Sequence, residues 1–468
     1  MNGPAGAGKT AIAHAIAKMC DEEGILAASF FCSRSRPGTN EKTFLVTTIV
    51  SQLIVVIPGM RQHVGDALHK DYSLRLLSRS LEAQLEAMVV KPFKLARSNT
   101  SDDANFPHFL PKLILLDGLD ECGDSQSHEY VLRLILAAVS QYNLPFSFLI
   151  ASQPEQKIRE VFDESTMGLT VRLVLDDKYL PDDDIRTFLV SSFQDIKRRH
   201  PSRASFPSWP SKKDIERLVL RSSGQFIYAS TVIKFVNSHH HWPPDRLKII
   251  FGILPRGKTT PFAEMDGLYS EILFAALHNI DEVLDIFSIL LFHRSRDLNR
   301  LPTIQFLESF LCYRPGEVPM VLSDLHSIIS VPPPDEQDML VEFFHASLGD
   351  FLVDHSRSGK FFFLNPGVSH RKIATRILKE IESISPDQCR TTGKMEYLGE
   401  EFAYHCIKST PTPEFLLKLQ HLDISLLPFG IASGGFKYST SIFDAVYSES
   451  RIPEFLVWLH QKVSHNFW

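Results

Sequence analysis

Over the first 180 or so residues, short apolar runs alternate with longer amphipathic stretches, a pattern that predicts an α/β layer. Ile12, Ile16 and Met19 recur at helical spacing behind a glycine-rich start, and Gly24 is placed to end that helix. Ile25 to Cys32 reads as a strand, and Phe44 to Ile57 as a buried helix closed by Pro58-Gly59. Residues 96–108 are polar and predict a loop insertion. Leu113 to Leu116 is a four-residue apolar strand that runs straight into acidic residues. A helix over Val131 to Tyr142 and strands over Phe146 to Ala151 and Val171 to Leu175 complete the layer. Continuous apolar strands separated by helices predict a parallel sheet covered on both faces.

Beyond 180 the strand signal nearly vanishes. Ile185, Phe188, Leu189, Phe193 and Ile196 form one helical stripe, with Asp182 to Asp184 at its electrostatically favourable N-terminal end. Further helices are predicted from about Lys213 and over Phe226 to Val236. Pro243-Pro244 and the stretch from Pro255 to Pro261 read as breaks, so a boundary is expected near 255. From 265 to 330 the pattern is helical again; then Ile328 to Val331 and Leu340 to Phe344, flanking PPPDEQD, predict a β-hairpin. Helices followed by one hairpin suggest a winged helix. From 368 the chain reads as helical, without an internal repeat. The expected domains are an α/β layer over 1–180, a helical domain over 181–255, a winged-helix domain over 256–362 and a helical region over 363–468.

Composition narrows the classes. At 468 residues the chain exceeds one ordinary domain of about 150 residues. Hydrophobic content of 44% and charged content of 22% are those of a globular protein with material for several cores. A net charge of -6 gives no reason to expect nucleic acid or a membrane surface as partner. Cys20, Cys32, Cys122, Cys312, Cys389 and Cys406 are scattered, with no metal spacing, which reads as reduced and intracellular. His239, His240 and His241 are adjacent and cannot converge on one metal as i, i+4 ligands can, so they read as a solvated loop. There is no long apolar run and no leader pattern before the first motif, so a cytoplasmic location is expected.

The strongest chemical signal is Gly3-Pro4-Ala5-Gly6-Ala7-Gly8-Lys9-Thr10, a full match to the P-loop pattern G-x-x-x-x-G-K-[ST]. Glycines let the backbone curl so that successive N–H groups face phosphate oxygens, and the helix that follows adds its positive end. Lys9 can reach the β- and γ-phosphates, and the Thr10 hydroxyl can ligate Mg²⁺. The complementary half is Leu113-Ile114-Leu115-Leu116-Asp117-Gly118-Leu119-Asp120-Glu121, a buried strand ending in carboxylates. Asp117 is placed to hold the metal through water, and Asp120 or Glu121 to act as general base. An acidic turn after a strand is commonplace and usually only solvated; its pairing with the glycine-rich segment reverses that balance.

Together with FFCSR at 30–34, these two segments resemble a NACHT domain, and more narrowly the nephrocystin-like NACHT proteins abundant in fungi. The resemblance continues through Gly224-Gln225-Phe226-Ile227-Tyr228-Ala229, Leu268-Tyr269 and His345-Ala346-Ser347-Leu348-Gly349-Asp350-Phe351-Leu352, so it spans roughly 1–360. It implies a switch of the STAND class that rests with ADP, exchanges to ATP and assembles into homo-oligomers to signal. It also implies that His345 contacts the β-phosphate of bound ADP. On its residues alone, His345 reads as a core histidine on a helix behind the hairpin.

Three departures from that pattern bear on function. Met1 stands two residues before Gly3, so the central strand that should lead into the loop is missing, as in an N-terminally truncated chain. Its neighbours are then expected to flank an open slot. In Ala151-Ser152-Gln153-Pro154, Gln153 replaces an arginine that would sense the γ-phosphate. Gln can donate a hydrogen bond but carries no charge, which predicts slow or negligible hydrolysis. Leu348 and Gly349 replace a usual Phe and a polar residue beside His345.

The competing readings are a non-catalytic scaffold or degenerate fragment, and a small-molecule kinase, for which no phosphoacceptor site is visible. DNA binding by the winged helix is disfavoured because 320–360 is not basic enough. No N-K-x-D segment appears, which tilts the base toward adenine. What is sensed, and which protein partners answer, the sequence leaves open.

Overall fold

The computed structural model describes residues 1–34, 39, 42–70, 79–98, 111–165, 170–175, 179–200, 208–238, 241–253, 262–294, 300–333, 336, 339–383, 394–420 and, near the end, 454–455, 457–458 and 461–462. The chain divides into two compact units, one running from Met1 to Leu180 and the other beginning at Pro181.

In the first unit three parallel strands, β1 (Leu26–Phe31), β2 (Leu113–Asp117) and β3 (Ser147–Ala151), lie side by side in that order. Leu113 of β2 pairs with Leu26 on one side and Ser147 on the other, and Asp117 pairs with Phe31 and Ala151. Successive side chains of a strand face opposite sides. Leu115 therefore meets α1 (Lys9–Glu22) through Ala13 and Ala17. Ile114 and Leu116 face the opposite side. There Ile114 packs with Val46, Val50 and Leu53 of α2 (Leu45–Val56) and Leu134 and Ala138 of a later helix, and Leu116 with Leu45, Val131 and Leu132. Around that side lie α3 (Met60–Lys70), α4 (Leu81–Leu85), a π turn over Glu86–Val90, α5 (Lys91–Ser98) and α6 (Ser125–Ser140). After β3 comes α7 (Gln156–Ser165). A small parallel sheet with helices on both faces is the expected α/β arrangement.

Two local expectations change. The run at 171–175 is extended but makes only a single bridge, because its one described partner strand is the two-residue piece Met1-Asn2. Asn2 N–H donates to Leu173 O (2.8 Å), Leu175 N–H to Asn2 O (2.7 Å), and on the other side Ser152 N–H to Met1 O (3.2 Å). Met1 and Asn2 thus bridge β3 to 171–175, and a cleft lined by Met1, Ile150, Ile158, Phe162, Val171 and Leu173 occupies the expected open slot. Of the expected loop, 96–98 close α5 and the remainder lies outside the described residues.

The second unit is helical. Its helices are α8 (Pro181–Arg199), α9 (Lys212–Ser222), α10 (Phe226–Val236), α11 (Pro243–Gly252), α12 (Ala263–Ala275), α13 (Ile280–Phe292), α14 (Ile304–Leu311), α15 (Glu317–Val321), α16 (Ala346–Val353), α17 (His355–Phe362), α18 (Pro366–Ser383), α19 (Lys394–Lys408) and α20 (Pro413–Gln420). A hairpin of β4 (Ile329–Ser330) and β5 (Glu342–Phe343) is antiparallel, as its sequence pattern predicts. One apolar cluster runs through this unit from Ile185 to Phe455. Pro243 and Pro244 do not break the chain; they open α11, where a missing N–H costs nothing and a fixed φ suits the first turn. The expected break at 255–261 lies outside the described residues.

Segments matched to the family resemblance have plain packing roles here. Ser223 and Gly224 adopt left-handed backbone that stops α9, and Tyr228 and Ala229 are buried in α10. Gly349 lets α16 approach α13: a Cβ there would lie 2.7 Å from Leu291 Cδ2.

Candidate phosphate-binding site

The glycine-rich segment folds as a tight loop leading directly into α1. Gly6 (φ 77°) and Gly8 (φ 86°) take left-handed backbone, which a side chain at either place would strain. Gly8 is the residue before the first helical turn, so the unpaired N–H groups of α1 open toward the loop. Lys9 folds back over it, Nζ donating to Gly3 O and Pro4 O, both at 2.9 Å. Burial lowers the Lys9 pKa, and the nearby carboxylates of Asp120, Asp117 and Glu121 oppose that shift. Gly3 is itself buried, and a Cβ on it would lie 3.0 Å from Leu175 Cβ.

Asp117 ends β2 on the parity of Leu113 and Leu115, so its carboxylate faces α1. It is 2% exposed and accepts a hydrogen bond from the Thr10 hydroxyl, while its Oδ1 has no hydrogen-bond partner. Burial raises its pKa; Thr10 and His14, which stacks on Phe31 at 4.0 Å, act the other way. Gly118 then turns the chain with φ 70°, and a Cβ there would meet the Cys32 carbonyl oxygen at 2.9 Å.

The two expected base candidates separate clearly. Asp120 is 3% exposed and already engaged: its Oδ1 accepts from Gln153 N–H (2.9 Å) and Ser152 Oγ (3.2 Å), tying the acidic turn to the end of β3. Among the described residues Glu121 accepts one bond, from Arg34 N–H at 3.2 Å. Burial pushes its pKa up from 4.5 to about 7; the Arg34 contact opposes this and Asp120 adds to it. A carboxyl titrating near neutrality is matched to proton transfer, so Glu121 is the better base and Asp120 a brace.

Gln153 sits at the carboxyl end of β3, its backbone held by Asp120. Gly3 to Thr10, Asp117, Asp120, Glu121 and Gln153 thus belong to one region of one unit. His345 belongs to the other unit. There it caps α16: Nδ1 accepts from Ser347 N–H (3.1 Å) and lies 2.8 Å from Ser347 Oγ, which also meets Tyr269 Oη at 2.8 Å. Because Nδ1 accepts, a neutral His345 carries its proton on Nε2.

Four residues of this region escape a reading of the residues alone. Arg34 lies in the FFCSR segment, yet only the fold brings its N–H to Glu121 and its Nη2 within 3.2 Å of Asp120 O. Ser152 braces Asp120, with no pattern to announce it. Cys32 and Cys122, far apart in sequence, share a buried hydrogen bond that pushes the Cys32 thiol well above its ordinary range.

One family model covers the N-terminal region. The family model described as Nephrocystin 3, N-terminal, matches residues 1–153. The N-terminal region is nephrocystin-like. The match takes in the glycine-rich loop, β1, β2, the acidic turn and β3, ending on Gln153. No curated protein matches the chain. No described helix is long and apolar enough to cross a membrane.

Proposed function

We propose that this chain is a nucleotide-binding switch of the NACHT/STAND type, taking ATP or ADP with Mg²⁺ and hydrolysing slowly or not at all. The observation that carries the reading is the meeting of the Gly3–Thr10 loop with the carboxylates that follow β2, where the Thr10 hydroxyl bonds Asp117 and the charges of Asp120, Asp117 and Glu121 act on Lys9. The residues fit the group they would hold. Lys9 Nζ rests on neutral loop carbonyls that an anionic phosphate oxygen would outcompete, since it adds the attraction of opposite charges to the hydrogen bond. The buried, unpartnered Asp117 Oδ1 beside Thr10 suits a hydrated cation. Bound Mg²⁺ would neutralise charge building on the phosphates.

The chain's own residues would do the rest. Loop N–H groups and the end of α1 orient the phosphates, Lys9 balances their charge, and Glu121 accepts a proton from an attacking water. Gln153 offers a donor without charge at the position where a cation would stabilise the transition state, and this supports slow turnover. A signalling switch needs about 5.5 kcal/mol of differential affinity to pass from 1:99 to 99:1. The hairpin and its helices, read as a winged helix, and His345 are where the regulatory half of that difference is sought. A non-catalytic scaffold is the second reading, favoured by Gln153 and by the cleft beside β3.

The test is to purify the chain, denature it and identify any released nucleotide by chromatography, with Lys9→Ala alongside. Stoichiometric ADP in the wild type and none in the variant supports a resting switch. A folded wild type that releases none, and takes up none when supplied, favours the scaffold.

A further inference from the structure

Far from the phosphate site in sequence, the helical unit buries a cluster of metal-ligating side chains. Glu401 and His405 stand at i and i+4 on α19, so both project from one face. His293 comes directly after the last turn of α13, in extended backbone. One ligand atom from each of the three lies within 4.8 Å of the others, and the residues are 8% (His293), 4% (Glu401) and 0% (His405) exposed.

Among the described residues, His293 Nδ1, Glu401 Oε1 and His405 Nε2 each have no hydrogen-bond partner. The first two approach to 2.7 Å without forming a hydrogen bond. Surrounding contacts set the tautomers. His293 Nε2 lies 3.2 Å from the Arg300 carbonyl, which only accepts, so Nε2 carries a proton and a neutral ring points its Nδ1 lone pair at the carboxylate. Two lone pairs at that separation repel unless a cation lies between them. His405 Nδ1 shares a hydrogen bond of 2.8 Å with His370 Nδ1, which leaves Nε2 as its free ligand atom. Glu401 Oε2 accepts from Arg300 Nε (3.1 Å), and Glu380 takes Arg300 Nη1 with both oxygens (2.9 and 2.8 Å).

We propose that His293, Glu401 and His405 bind a divalent cation of the zinc class, clamping the end of α13 to α19. Two imidazole nitrogens and one carboxylate oxygen are a borderline donor set that suits Zn²⁺ and excludes a Ca²⁺ or Mg²⁺ cage. The backbone carbonyl on His293 Nε2, the ring on His405 Nδ1 and the guanidinium on Glu401 are the outer contacts that fix ligand orientation. Phe306 and Phe310, with ring centroids 5.0 and 5.5 Å from that of His293, keep the site apolar around its ligands. A single proton on His293 is the competing arrangement, but it leaves His405 Nε2 unsatisfied in the core.

The experiment uses the full chain expressed with supplementary zinc, desalted, and measured for metal content and thermal unfolding with and without chelator. The expected result is about one zinc per chain and a lower Tm after chelation, because a structural metal's binding free energy is folding free energy. Glu401→Gln and His405→Gln lose the metal, while replacing His239, His240 and His241 together by alanine retains it. A folded wild type that carries no zinc and ignores chelator overturns the proposal in favour of the ion pair. So does metal that survives Glu401→Gln and vanishes with the triple alanine. If the His405 variant fails to fold, the visible spectrum of cobalt-loaded wild type decides: nitrogen ligation of a four-coordinate ion supports the site, and an aquo-ion spectrum rejects it.

Discussion

In the N-terminal unit the charged groups gather at strand ends, where Lys9 bends over its own loop, Asp117 keeps an oxygen without a partner and Glu121 holds one hydrogen bond. In the helical unit they are sewn into the core. Arg357 grips Asp266 through Nε and Nη2, and Arg300 joins Glu380 to Glu401. The first arrangement leaves electrostatic capacity unspent on the protein itself, which is what a site for an exchangeable anion and cation requires. The second pairs buried ions across separate helices and so holds them together. Among the described residues, the buried atoms of this unit without a hydrogen-bond partner include Arg300 Nη2 and His326 Nε2, but those of His293, Glu401 and His405 belong to one cluster of ligating side chains, and that cluster motivates the proposed metal.

Removing charge should therefore have opposite consequences in the two units. The largest effect is expected for Asp266→Ala, which leaves Arg357 mostly buried beside Phe262 without its carboxylate. Breaking a buried pair costs about 3–5 kcal/mol, readable as a lower denaturant midpoint for the helical unit. A loss below about 1 kcal/mol, the value of an exposed pair, would dissolve the contrast.

Glu121→Gln should do the reverse. Burial raises the Glu121 carboxyl from 4.5 to about 7, so the folded chain keeps a proton that the unfolded chain has lost. The stability this group contributes is full below about 4.5 and is lost as the pH rises through about 7. Up to about 3 kcal/mol is at stake. The variant should flatten that pH dependence and be no less stable than wild type at pH 8. Equal pH profiles would show that Glu121 is solvated.

Two smaller effects sharpen the comparison. Gly118→Ala forces a side chain into left-handed backbone and against the Cys32 carbonyl, a cost of about 1–3 kcal/mol, and it should also disturb Asp117. Ser211→Ala removes the capping box at the start of α9 for about 1 kcal/mol and should leave nucleotide binding untouched. Calorimetry combined with a binding titration separates the two.

How much of the fold and the site is legible in the sequence depends on the range of the interactions. The glycine-rich loop, Lys9 and Thr10 act within eight consecutive residues, and the strand into Asp117 within five more, so residue type and spacing carry them. The hairpin and the stripe of α8 are likewise readable, because periodicity is local. Pro243-Pro244 misleads because a proline pair opens a helix as well as ending one, and the residues on its C-terminal side decide between the two. The division of labour between Asp120 and Glu121 is invisible in the sequence, since it depends on Ser152 and Gln153 arriving from β3. Among histidines, adjacency draws notice to 239–241, of which 239 and 240 lie outside the described residues; His241 pairs with Ser238. The histidines that converge come from separate helices, and only Glu401 and His405 share a spacing that could flag them.

The most direct test of the phosphate site is an equilibrium titration of the folded chain with a fluorescent ADP in the presence of Mg²⁺, set beside Lys9→Ala and Asp117→Asn. Saturable binding is predicted for the wild type. Lys9→Ala should weaken it on the order of 100-fold, the worth of one or two charge-assisted bonds. Asp117→Asn should keep binding but lose its dependence on Mg²⁺. Equal affinity in wild type and Lys9→Ala, or no saturable binding by a folded wild type, would contradict the account.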